Sequence, residues 1–226
     1  LKSLKILEAL VKQKPDRTDF RYDLSECYSS VGNNFLAAGD EESALEYSRK
    51  GLRLAEILVE MEPERTDLKM LLSTSYYTAA LILDRQRNNV LALEYYRKSL
   101  SLLVTLVENE PDRTDLQCEL SNNYCAIAKV CMEMGDSDGA LEHYRKSLSL
   151  FEALMENEPE RTDLQFELCG NYSAIAKVCM EMGDASVMEY YFKSLELAEN
   201  LVTREPDRTD YLGVLGGLYN DIAPIC

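Results

Sequence analysis

Residues 111–158 read PDRTDLQCELSNNYCAIAKVCMEMGDSDGALEHYRKSLSLFEALMENE, and from Pro159 the chain starts again with PERTDLQFELCGNYSAIAKVCMEMGD. Between 114–136 and 162–184 only four positions differ. Related openings at Pro15, Pro63 and Pro206 set the prolines 48, 48, 48 and then 47 residues apart. A fixed step of this size marks stacked supersecondary units, because one unit cannot bury its apolar face alone.

Each unit holds two helical patterns and two breaks. Leu116, Leu120, Tyr124, Ile127, Ala128 and Cys131 recur in steps of three and four, as one face of a helix does. Ala140, Leu141, Tyr144, Leu148, Phe151 and Met155 form a second such face. Gly135-Asp136 lies between them, where a glycine can take the left-handed conformation that closes a helix. Pro-Asp-Arg-Thr-Asp is the other break. There Thr114 with Gln117, and Thr162 with Gln165, have the spacing of a capping box. The unit therefore reads as a hairpin of two helices.

Tyr124, Ile127-Ala128, Gly135-Asp136, Ala140-Leu141, Tyr144 and Ser147 resemble the tetratricopeptide repeat family in the order and type of their residues. ALEHYRKSL is similar to the second helix of such repeats. The family's usual period is 34 residues, so these units are longer, by extension of both helices. The resemblance implies an all-α, right-handed superhelical solenoid of antiparallel helix hairpins, used for binding other proteins.

In this register, 1–14 is a partial second helix, and 15–62, 63–110, 111–158 and 159–205 are complete repeats. Residues 206–226 form a partial first helix, so 1–226 is expected to be a single array. Both ends break off within a unit, which suggests an internal piece of a longer repeat protein. In the second unit Arg87-Asn88-Asn89 replaces Gly-Asp, and an asparagine is expected to take the left-handed turn. The fourth unit lacks one residue after Gly183-Asp184. Tyr191, Ser194 and Leu195 keep their register if the turn absorbs the loss.

Composition narrows the function. A net charge of −16 argues against partners held mainly by phosphates, whether nucleic acid or an anionic membrane surface. Cys27, Cys118, Cys125, Cys131, Cys169, Cys179 and Cys226 form no C-x-x-C pair and have no histidine at zinc-finger spacing. They read as free thiols packed as small apolar groups in a reducing, cytoplasmic setting. His143 reads as a solvated or rim side chain, and the chain has no second histidine. There is no phosphate loop of the G-x-x-x-x-G-K type. No catalytic residue, metal ligand or cofactor is expected.

The resemblance implies that the first helices line the inner, partner-binding surface. Opposite the core stripe lie Tyr22, Glu26, Ser29, Asn33 and Leu36 in the first unit, and Met70, Thr74, Tyr77, Leu81 and Asp84 in the second. In the third and fourth they are Cys118, Asn122, Cys125, Lys129 and Met132, and Phe166, Gly170, Ser173, Lys177 and Met180. Apolar residues grouped there suggest a groove, with Tyr22, Asn33, Met70, Tyr77, Asn122, Lys129, Phe166 and Lys177 as its contact residues. The alternative is that longer helices use these side chains to pack first helix on first helix. Lys129 and Lys177, one unit apart, suggest an acidic or C-terminal peptide, although Leu81 stands where the family's carboxylate clamp wants a polar residue. The function expected is a non-catalytic scaffold for a peptide or partner helix. The alternative is a structural or sensor array in a larger signalling protein, with end-to-end self-association.

Overall fold

The computed structural model describes residues 2–225, and Cys226 lies outside them. Among the described residues there are ten α-helices and no strand: α1 (Lys2–Gln13), α2 (Thr18–Ala37), α3 (Glu41–Met61), α4 (Thr66–Arg85), α5 (Asn89–Asn109), α6 (Thr114–Glu133), α7 (Ser137–Asn157), α8 (Thr162–Met182), α9 (Val187–Arg204) and α10 (Thr209–Ile222). None of them is long and apolar enough to cross a membrane. The chain forms two compact units, one ending at Leu116 and one beginning at Gln117.

In the first unit each helix packs on the next, from α1 on α2 through to α4 on α5, and α2 also touches α4. In the second unit α7 packs on α8, α8 on α9 and α9 on α10, with α8 touching α10. The stripes read from the sequence become the core. Leu116, Leu120, Ile127, Ala128 and Cys131 are buried, as are Ala140, Leu141, Tyr144, Leu148 and Phe151.

Within a hairpin the two helices come close at small residues. Ser25 donates its hydroxyl to the Gly51 carbonyl at 2.9 Å, and the Ser73 and Ser99 hydroxyls meet at 2.8 Å. Ser194 donates to the Cys169 carbonyl at 2.8 Å. Beside this seam lies a repeated aromatic pair: Tyr28 with Tyr47, Tyr76 with Tyr95, Tyr124 with His143, and Tyr172 with Tyr190. His143 thus fills the place of a tyrosine. It is half-buried against Tyr124, with ring centroids 5.8 Å apart, and so is the rim side chain of the two expected readings rather than the solvated one. A lysine held by a glutamate four residues earlier closes each pair, as Lys98 with Glu94 does over Tyr76 and Tyr95.

The turns follow the sequence with two corrections. Gly39, Gly135 and Gly183 take positive φ, and Asp40 and Asp136 cap the next helix by accepting from Ser43 N at 3.0 Å and Gly139 N at 2.9 Å. In the second hairpin the left-handed residue is Arg87, at φ 59°, and not an asparagine. Asn88 is instead needed one place on, as the cap that accepts from Leu91 N. The second correction concerns the helix starts, where no capping box forms at Thr162. Arg161 is the residue before the helix, and its guanidinium folds onto Asp163, with Nε 3.1 Å from Oδ1. Gln165 donates to the Pro159 carbonyl at 2.6 Å. Arg65–Asp67, Arg113–Asp115 and Arg208–Asp210 repeat the pair, and Asp210 is held down to about 2 by Arg208.

α9 has 18 residues against 21 in α7, and the connection before it, 183–186, is one residue longer than 134–136. The loss therefore falls at the start of the helix and not in the turn, and Tyr191 and Ser194 stay buried. Asp184 holds this turn by accepting from Ser186 N and from its hydroxyl, at 2.8 and 2.7 Å.

Candidate functional site

α2 and α4 are first helices of successive hairpins, and their outward sides face each other across a cleft of about 400 Å³. Tyr22, Glu26, Ser29, Ser30 and Asn33 line it from α2, and Asp67, Met70, Leu71, Thr74, Ser75 and Thr78 line it from α4. Helical spacing explains the set: 22, 26, 29 and 33 rise along one face of α2, and 67, 70, 71, 74 and 78 do so on α4. That size is within the range of small-ligand and side-chain pockets.

The lining is mixed. Tyr22 and Met70 are half-buried, and Tyr22 packs against the cluster of Leu52, Leu68 and Leu72. Burial raises the Tyr22 phenol above its usual value, and the neighbouring carboxylates Glu26 and Asp67 add to that. Asp67 is paired with Arg65, which holds its carboxyl below the usual range. Glu26 is exposed and forms no ion pair among the described residues. Ser75 is buried, and its hydroxyl has no hydrogen-bond partner among the described residues.

Three of the eight contact residues expected from the sequence, Tyr22, Asn33 and Met70, come together here. Tyr77 does not, because its ring packs edge-on against Tyr96 of α5 at 5.3 Å. Further along the same face Leu36 and Asp84 are buried, and Leu36 packs with Ala44 and Ile82 with Leu81 alongside. The last turns of α2 and α4, from Leu36 and from Leu81, are therefore packing surface. Ser30, Asp67, Ser75 and Thr78 were not singled out in the sequence. They sit at the edge of the stripe, where a helical wheel alone does not separate cleft from core.

In the second unit Asn122 is half-buried and Lys129 exposed on α6, and Lys177 is exposed on α8. Phe166 packs on Tyr211 of α10 at 5.3 Å. Lys177 binds Asp221 of α10 at 3.0 Å rather than Glu181 on its own helix. Cys125, expected on the open side, is turned inward: its sulfur is 3.1 Å from the Ser147 hydroxyl, and burial pushes the thiol up to about 11. Cys27, Cys118, Cys125, Cys131, Cys169 and Cys179 are free thiols. No group of three or more His, Cys, Asp or Glu among the described residues is placed to hold a metal ion.

Residues 121–153 match the model of the tetratricopeptide repeat, from the middle of α6 through most of α7. No curated protein matches the chain by sequence. Among solved structures, BtubC (BKLC) from P. vanneervenii superposes with a TM-score of 0.68 at 17% identity, over 97% of this chain and 80% of that one. The apo form of RapI gives 0.65 at 12% identity, over 99% and 55%. Aspartyl phosphate phosphatase F from Bacillus subtilis gives 0.63 at 13%, over 90% and 50%. At these identities the likeness is one of fold, and the chain spans about half of the last two proteins.

Proposed function

We propose that the chain, a tetratricopeptide repeat protein built of helix hairpins, is a non-catalytic interaction scaffold that holds a peptide segment of a partner protein between α2 and α4. The observation that carries this reading is the cleft itself. It brings Tyr22 and Met70 together with Asn33, an apolar floor rimmed by hydrogen-bonding groups. A half-buried tyrosine offers a broad, stiff contact surface and a methionine an adaptable one, which suits the pair to hold a side chain. The acidic-peptide expectation attached to Lys129 and Lys177 has less support, because the Lys177 ammonium is already engaged by Asp221.

The test is selection of short peptides on the full chain, followed by titration against Tyr22→Ala and Met70→Ala. Loss of affinity in both, with helix content unchanged, supports the reading. Peptides that bind both variants as well as the parent chain overturn it.

A further inference from the structure

We infer that the segment held between α2 and α4 presents a basic side chain, lysine or arginine, to Glu26, Asp67 and the Ser75 hydroxyl. This rests on the docking reading above and adds the chemistry of the ligand. The charged groups lining the cleft are Glu26 and Asp67, and no lysine or arginine lines it. Asp67 is partly satisfied by Arg65, whereas Glu26 has no ion pair among the described residues. Two carboxylates facing one cleft repel each other and any acidic ligand, and a cation between them relieves both effects.

Ser75 is the independent observation. It is 2% exposed, lies on the cleft wall, and its hydroxyl has no hydrogen-bond partner among the described residues. A buried polar group left unpaired is costly, so a ligand that donates to it recovers that cost on binding. An ammonium or guanidinium carries only donors and suits this lining of carboxylate and hydroxyl oxygens. Met70 and Leu71 offer an apolar surface for its methylene stem. A free metal ion fits less well, since no cluster of three ligating side chains stands among the described residues. The chain's net charge of −16 favours approach of a basic partner.

The test uses three pools of short peptides, alike except for a central position fixed as lysine, norleucine or glutamate, titrated onto the full chain. The inference predicts that the lysine pool binds at least about tenfold tighter than the norleucine pool, and that the glutamate pool binds weakest. It predicts that Glu26→Gln removes most of this preference and flattens the salt dependence. Ser75→Ala should weaken lysine-pool binding without lowering the melting temperature. Equal binding of the lysine and norleucine pools at α2 and α4, seen as protection from hydrogen exchange there, overturns the charge assignment and leaves the docking reading standing. An unchanged preference in Glu26→Gln also overturns it. No protection of α2 or α4 by any pool overturns both.

Discussion

Tyr172 of α8 donates its phenol to Glu152 Oε1 of α7 at 2.7 Å. The same bond joins Tyr28 to Glu8, Tyr76 to Glu56 and Tyr219 to Glu199. In each case a second helix is tied to the first helix of the next hairpin, so the bond serves the stacking of units rather than the closing of one. At the corresponding place ahead of Tyr124 the sequence has Val104.

Tyr76→Phe and Tyr172→Phe remove the donor and leave the ring. Each should cost about 1.5–3 kcal/mol, the range for a hydrogen bond to a charged group. Urea denaturation followed by circular dichroism reads this directly, with the midpoint falling and helix content held.

The same tyrosines predict an alkaline limit. Burial, and then the bond to glutamate, raise Tyr28, Tyr76 and Tyr172 above the ordinary value of 10. A phenol whose folded value is raised contributes stability that is complete below 10 and is lost as pH climbs above it. Melting temperature should therefore fall steeply above pH 10. The Tyr76→Phe, Tyr172→Phe double variant should fall less steeply over the same span.

Arg87 holds a left-handed conformation in a turn where Gly39, Gly135 and Gly183 occupy the other hairpins. A side chain there costs about 1 kcal/mol relative to glycine. Arg87→Gly should raise stability by about that amount, and chemical denaturation of the full chain measures it.

Ser75→Ala removes a buried hydroxyl that has no hydrogen-bond partner among the described residues. The free chain should gain about 1 kcal/mol, the lower end of the penalty for an unpaired buried polar group. A loss of similar size would mean that the hydroxyl already has a partner in solution.

The repeat, the helix pairs and the core stripe were legible in the sequence because each depends on local spacing, repeated several times between prolines. The turn at Arg87 was misread because asparagine is the better left-handed residue taken alone. The hairpin needs Asn88 as a cap, and that demand wins. The Thr162–Gln165 spacing matched a capping box, yet the neighbouring Arg161–Asp163 pair occupies the helix start. His143 could have been placed by aligning it with Tyr47, Tyr95 and Tyr190, a comparison that its polar neighbours obscured. The cleft was half legible. Tyr22, Asn33 and Met70 follow from the wheel, whereas Lys177–Asp221 and Tyr77–Tyr96 depend on which helix packs beside which.

A partner segment held between α2 and α4 would lie against Met70, which lines the cleft. With methionine methyls labelled in the full chain, a peptide selected on that chain should shift the Met70 signal saturably. The signals of Met155 on α7 and Met188 on α9 should stay in place. A Met70 signal that does not move at saturating peptide, while methyls of the second unit do, would contradict the account.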